Sequence, residues 1–226
     1  MLEVQRVCAG YPDLPVLFDV SLRVVAGQLT SVLGSNAAGK STLLKAILGD
    51  VATSSGEIFF GDRRITHLPI HERVAAGISY SPEGRRILPT LSTRENLDAG
   101  CYGVPPETAV EQLDAVYELF PVLAERRAQR AGSLSGGEQQ MLAIGRAIMR
   151  RPQLLLVDEL SLGLAPVIVS HLYTALRALC ERGLAVLVAE QFQRFEPRYS
   201  DRFLVLERGT VVAAGGQDDT HLLVGS

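Results

Sequence analysis

The sequence contains no run of about 18 apolar residues, the length a membrane-spanning helix needs. Its apolar stretches, such as Leu154–Val157 and Ala185–Ala189, are strand-sized. The opening MLEVQRV has no basic segment followed by an apolar one, so no secretory leader is expected. These absences predict a soluble protein that meets a membrane only through partners. Cysteine is scarce: Cys8, Cys101 and Cys180 are odd in number and far apart, so they suggest neither a disulfide framework nor a metal-ligand spacing. Such usage suits a reducing cytoplasm. Among the histidines (His67, His71, His171, His221), His67 and His71 stand four apart. Pro69 lies between them, and no carboxylate or cysteine set completes a ligand pattern, so a surface pair is expected. Excess basic charge is also missing. The net charge of −3 argues against a partner nucleic acid held on a broad basic face. Arginine doublets (Arg63–Arg64, Arg85–Arg86, Arg126–Arg127, Arg150–Arg151) are scattered among acids and read as solvated surface.

What is present is enough for a real core. At 226 residues, 47% hydrophobic and 21% charged, the chain fits one α/β domain with a small inserted lobe. Leu2–Val7 alternates as a half-buried strand does, before Gly10, Pro12 and Pro15 interrupt it. Phe18–Val25 and Gln28–Leu33 read as strands, and a glycine-rich loop then leads into a helix over Lys40–Leu48. Glu57–Phe60 and Gly77–Tyr80 read as further strands. From Pro82 to Arg151 the pattern turns helical, with Glu107–Phe120 (Val110, Leu113, Val116, Tyr117, Phe120) the clearest amphipathic run. Strands at Leu154–Val157 and Ala185–Ala189 flank a helix near Ile168–Arg182. Phe203–Leu206 and Thr210–Ala213 form a hairpin about Arg208–Gly209. Repeated strand–helix–strand units with continuously apolar strands predict a largely parallel sheet covered on both faces.

Gly34-Ser35-Asn36-Ala37-Ala38-Gly39-Lys40-Ser41 fits G-x-x-x-x-G-K-[ST] in full. Backbone N–H groups of such a loop face a concavity for polyphosphate oxygens, and the following helix presents its positive end. Lys40 would reach the β- and γ-phosphates, Ser41 would ligate Mg²⁺, and Thr42 extends the same set. Leu154–Val157 ends in Asp158-Glu159 at the sheet's carboxyl edge, where ligands of α/β folds sit. Asp158 is placed to hold magnesium and Glu159 to polarise an attacking water. Ser135-Gly136-Gly137-Glu138 reads as a capping box before an apolar helix. The cap leaves Gly136 and Gly137 unexplained, and their bare backbone would leave N–H groups open to an anion.

With Leu134-Ser135-Gly136-Gly137-Glu138-Gln139-Gln140 in hand, nearly the whole chain resembles the ABC ATPases. That resemblance implies a P-loop fold with an N-terminal antiparallel β subdomain and an inserted helical subdomain. It divides a single domain, 1–226, into a nucleotide-binding core (1–82 and 152–226) and a helical part (83–151). The bound cofactors would be ATP and Mg²⁺. Tyr11 falls where the family stacks an aromatic ring on adenine, although a core tyrosine in an early strand is a fair competitor. Tyr80–Arg86, Glu118–Pro121, Leu134–Ala147 and Ser161–Pro166 are similar to the LivF-type ATPases of branched-chain amino acid importers. A urea-type importer ATPase is the nearest other relative.

The resemblance further implies a working cycle. Two such subunits, this chain with a LivG-like ATPase or with itself, close so that each signature, Ser135–Glu138, covers the other's nucleotide. Two transmembrane permease subunits at the cytoplasmic face of the inner membrane receive the motion near Glu83–Leu88, and a secreted binding protein delivers the solute. Arg85 and Arg86 are candidates to bond a permease helix there, with a solvated doublet the equal alternative. Glu83 stands at the position that senses magnesium and the permease. Gln191 stands where most members have a histidine on the γ-phosphate, and Ala165 replaces an aspartate. A glutamine donates a hydrogen bond but carries no positive charge, so slower turnover at this chain's site is expected, or, as an alternative, a regulatory subunit with weak hydrolysis. Leu160 replaces the usual proline after Glu159, which would loosen the turn, and Pro197 would shorten the helix after Gln191.

Overall fold

The computed structural model describes residues 1–195 and 197–219, so His221 lies outside the described residues. Strands β1 (Leu2–Tyr11) and β2 (Leu14–Val24) form an antiparallel hairpin. Next come β3 (Leu29–Leu33), helix α1 (Lys40–Leu48), β4 (Ala52–Phe60), the short β5 (Arg63–Arg64), α2 (Ile70–Ala75) and β6 (Ile78–Ser81). A helical stretch follows: α3 (Thr93–Ala99), α4 (Pro106–Leu119), α5 (Pro121–Glu125) and α6 (Gly136–Ile148). The chain then returns through β7 (Leu154–Asp158), α7 (Pro166–Glu181) and β8 (Ala185–Glu190) to the hairpin β9 (Arg202–Glu207) and β10 (Thr210–Gly216).

The strands assemble into two sheets. A four-stranded antiparallel sheet has the order β2-β1-β4-β5, and a six-stranded sheet has the order β10-β9-β3-β8-β7-β6. Within the larger sheet only β10 runs antiparallel. The apolar runs of β7 and β8 follow from its position. Alternate side chains point to opposite faces, so Leu155, Val157, Val186 and Val188 join a core shared with α4, α6 and α7. Leu154, Leu156, Ala185 and Leu187 enter a second core beneath α1 and the antiparallel sheet. Both faces are covered, so neither face of these strands needs polar residues.

Several boundaries differ from the sequence expectation, each for a local reason. Strand β1 continues past Val7 to Tyr11, with register shifts along its pairing. Gly10 permits this, because a Cβ there would stand 2.4 Å from the Leu14 carbonyl oxygen. Pro15 lies inside β2, which is an edge strand and needs no ladder bond on its outer side. Helix α4 starts on Pro106 and its buried stripe on Leu113; Val110 is 58% exposed. Among the described residues beyond Gln191 no α-helix forms: the chain makes single 3₁₀ turns at Phe192–Arg194 and Pro197–Tyr199, in keeping with the donor that Pro197 lacks. Among the described residues no helix is long and apolar enough to cross a membrane.

Candidate active site

The phosphate-loop sequence occupies the turn between β3 and α1. Gly34 is required by crowding, since a Cβ would lie 2.4 Å from the Leu206 carbonyl oxygen and 2.9 Å from the Ala38 methyl. Gly39 caps α1 with φ of 105°, and Ala37 also takes a left-handed backbone at 63°. For alanine that conformation costs about 1 kcal/mol or more, a strain typical of ligand-binding loops. The Lys40 side chain is nearly buried and folds back on its own loop, donating to the carbonyls of Gly34 at 3.0 Å and Ser35 at 2.9 Å.

Strand β7 delivers Asp158 beside the start of α1. Ser41 Oγ donates to Asp158 Oδ1 at 3.0 Å, and Tyr80 Oη to Oδ2 at 3.1 Å. Burial pushes the Asp158 carboxyl above the usual range, while these two donors pull it back. Burial, and then the neighbouring carboxylate, raise the Tyr80 phenol, which stays a donor. Glu159 follows with φ of 50° and accepts from Gln191 Nε2 at 3.3 and 3.4 Å. Leu160, at the position expected to loosen this turn, is packed inside it. Its side chain is fully buried in the core under α6 and α7 and anchors the turn as an apolar plug.

Asn36, Ala37, Gly39, Lys40, Ser41, Thr42, Glu83, Glu159 and Gln191 line one open cleft of about 740 Å³. Leu14, Pro15, Val16 and Phe18 form its apolar end. Tyr11 is not among the lining residues: it ends β1 half-exposed, and the ring that reaches the cleft is Phe18. Ser135, Gly136, Gly137 and Glu138 do not line this cleft either. Ser135 caps α6 in a complete box, with Glu138 Oε2 accepting from the Ser135 N–H at 2.7 Å. The glycines also have a packing cause, because a Cβ on Gly137 would meet Ile168 at 2.8 Å and one on Gly136 the Arg85 guanidinium at 3.1 Å. Arg85 itself donates to Gln139 Oε1 at 3.1 Å, so this half of the doublet is engaged within the chain rather than solvated.

Sequence reasoning passed over Glu190, Tyr80 as the donor to Asp158, and Arg73. Glu190 is 1% exposed and accepts from both the Ser161 N–H and its hydroxyl at 2.9 Å. Burial pushes its carboxyl up to about 7. Its only local signal is a lone acid at the end of an apolar strand.

The family model for the ABC transporter matches residues 17–161. The chain is 42% identical to the high-affinity branched-chain amino acid transport ATP-binding protein BraG of Pseudomonas aeruginosa, covering 94% of this chain and 91% of that protein. It is 36% identical to a probable branched-chain amino acid transport ATP-binding protein, LivF, of Archaeoglobus fulgidus, over 95% and 92% of the two chains. Identity to the lipopolysaccharide export ATP-binding protein LptB of Escherichia coli is 31%, over 95% and 90%. A nucleotide-free ATP-binding cassette from an ABC transporter superposes with a TM-score of 0.90 at 25% identity, covering all of this chain and 95% of that one. Taken with the strand–loop–helix phosphate loop and the Asp158–Glu159 edge, these likenesses show that the chain belongs to the ABC transporter family, as one of its ATP-binding, ATP-hydrolysing subunits.

Proposed function

We propose that this chain powers uptake of branched-chain amino acids by an ABC importer. The observation that carries the catalytic part is the meeting of Ser41 with Asp158 at 3.0 Å, in a cleft shared with Lys40, Glu159 and Gln191. The branched-chain amino acid part is supported by the similarity to BraG and LivF, and the direction by the resemblance of Tyr80–Arg86 and Ser161–Pro166 to importer ATPases. The likeness to LptB is weaker, at 31% against 42%.

In this reading the loop N–H groups of Asn36–Ser41 bind the phosphates, and Lys40 leaves its two carbonyls for the β- and γ-phosphate oxygens. A hydroxyl beside a buried carboxylate is a set of hard oxygen donors that fits Mg²⁺, so Ser41 and Asp158 would hold the ion, with Glu83 across the cleft. Mg²⁺ would supply charge neutralisation to the phosphates. Glu159 accepts the proton of the attacking water, and Gln191, released from Glu159, donates to the γ-phosphate. The base lies against the Leu14–Phe18 stretch, at the hairpin that Tyr11 opens. Since Ser135–Glu138 do not line their own cleft, they serve the nucleotide of a second ATPase subunit, a LivG-like partner or another copy. Residues 83–151 form the helical lobe that passes the motion to two permease subunits at the inner face of the membrane, and a secreted binding protein brings the solute.

A second reading, a regulatory subunit with weak hydrolysis, is favoured by one observation. The Gln191 amide is already spent on Glu159. ATP hydrolysis and leucine uptake by the assembled transporter in proteoliposomes decide between them. Glu159→Gln should lower both at least tenfold. Full transport by that variant would leave only the regulatory role, and lipid-linked glycan export without leucine uptake would overturn the importer reading.

A further inference from the structure

We infer that Glu190 is a positioning residue for hydrolysis, which locks the loop carrying Glu159 to the loop carrying Gln191. The inference rests on the ATPase reading above. Residue 190 stands where three pieces of the site meet. Its carbonyl accepts from the N–H of Gly34, the first residue of the phosphate loop, at 3.3 Å. Its side chain spans to Ser161, taking the backbone N–H on one oxygen and the hydroxyl on the other, both at 2.9 Å.

On the other side of this clamp, Glu159 is held by its backbone N–H to the Ala189 carbonyl at 3.0 Å and by its side chain to Gln191. Glu190 at the end of β8 and Gln191 just after it therefore bind Ser161 and Glu159 of the loop that follows β7. Glu159 needs such support, because its left-handed backbone at φ of 50° is unfavourable for a non-glycine residue. A buried carboxyl answered only by neutral donors is itself expensive to keep. A residue retained at that expense, away from the cleft lining but bonded to both catalytic loops, is explained by geometry it imposes on them.

The clamp needs two oxygen-sized polar atoms, not a charge. In Glu190→Gln the amide oxygen still accepts from the Ser161 N–H and the amide nitrogen donates to the Ser161 hydroxyl. In Glu190→Ala both contacts vanish. Steady-state ATP hydrolysis by the full chain separates the possibilities. Glu190→Ala is expected to lower kcat by about 10- to 100-fold, the effect of misplacing a reacting group by an ångström or less. KM for ATP should stay within about twofold, because the phosphate-loop contacts are untouched. Glu190→Gln should keep kcat within about threefold of wild type. Should Glu190→Ala fold poorly, Ser161→Ala, which loses one of the two bonds, should still lower kcat severalfold at unchanged KM. An unchanged kcat in Glu190→Ala or Ser161→Ala, a KM that rises in step with the loss, or a Glu190→Gln as damaged as the alanine variant would each overturn the inference. No turnover in the wild-type chain and its assembly would remove the ATPase reading itself, a result visible without any variant.

Discussion

Arg73 offers a stability test that nothing in its local sequence suggests. The residue is 2% exposed, and its guanidinium donates to four carbonyls: Leu68 from Nε at 2.9 Å, Ala46 and Ile47 from Nη1 at 2.8 Å, and Thr66 from Nη2 at 2.7 Å. Two of these belong to the last turn of α1, whose final carbonyls have no partner within the helix. Gly49 ends that helix with φ of 91°, and a Cβ on it would stand 2.8 Å from Arg73 Nε, so the arginine is packed over the helix end. Ala46 also accepts from the Gly49 N–H at 3.2 Å, which leaves Ile47, Thr66 and Leu68 most dependent on Arg73. In Arg73→Met, three orphaned carbonyls at about 1.5 kcal/mol each lose about 4 to 5 kcal/mol. Relief from keeping a cation buried returns part of this, since burial holds the Arg73 pKa below its usual value. A net loss of about 3 kcal/mol is expected, which for a chain of this size lowers Tm by about 6 to 12 °C. Differential scanning calorimetry of the two proteins reads it directly. Arg73→Lys should fall between them, because one ammonium lacks the planar fork that reaches carbonyls on three sides. The rise in Tm on adding ATP should survive in both variants, as the phosphate loop lies a helix length, about 13 Å, from the cap. A Tm drop under about 2 °C for Arg73→Met, or a lysine variant equal to wild type, would refute the reasoning.

Other consequences are as open to measurement. Glu190 has its carboxyl raised from 4.5 to about 7, so the folded chain binds that proton more tightly than the unfolded chain does. The stabilisation is complete below about pH 4.5 and is lost as pH rises through about 7, a change of about 3 kcal/mol. Glu190→Gln does not titrate, so its Tm relative to wild type should climb by several degrees between pH 5 and pH 8; a constant difference would contradict this. Gln191→His restores a group that carries positive charge near neutral pH and should raise ATP turnover about tenfold, and equal or slower turnover would show that Gln191 is not what limits hydrolysis. Gly137→Ala places a methyl 2.8 Å from Ile168 and should lower turnover at least tenfold by displacing the start of α6. Adding Ile168→Ala should restore part of it, and no restoration would assign the loss to the N–H groups instead.

Features legible in the sequence were those whose causes lie within a few residues. Lys40–Leu48 was readable as a helix because a glycine-capped phosphate loop precedes it, and α1 has those bounds. The box at Ser135 and Glu138 closes over three residues. The apolar runs of β7 and β8 announced burial on both faces, which the two cores on either side of the sheet supply. What escaped was contact at long range. Arg73 binds carbonyls 26 and 27 residues away, Glu190 a serine 29 away, and Arg85 a glutamine 54 away. In the sequence none of these charges has its eventual partner within a few residues, and a charge without a local partner reads as surface. Tyr11 ends β1 half-exposed at the turn into β2, and Phe18 of that next strand is the ring that lines the cleft, a neighbour that sequence position alone did not single out.

Two departures from the family pattern pointed to weak catalysis, and the structure treats them differently. Leu160 replaces a proline, but it is fully buried in the core below α6 and α7. Moreover, the residues on both sides of it are tied to β8 and the residue after it: Glu159 through the Ala189 carbonyl and Gln191, and Ser161 through Glu190. A proline restricts the turn through its own ring; here burial and three hydrogen bonds from a neighbouring strand do the same. Gln191 has no such replacement. Among the described residues lining the cleft, the charged side chains that accompany it are Lys40, Glu83, Glu159 and Arg208. Lys40 already belongs to the phosphate loop, and Arg208 sits in the β9–β10 turn. Gln191 is therefore the departure that the Gln191→His comparison addresses, while the turn at Leu160 is already tied by burial and hydrogen bonds.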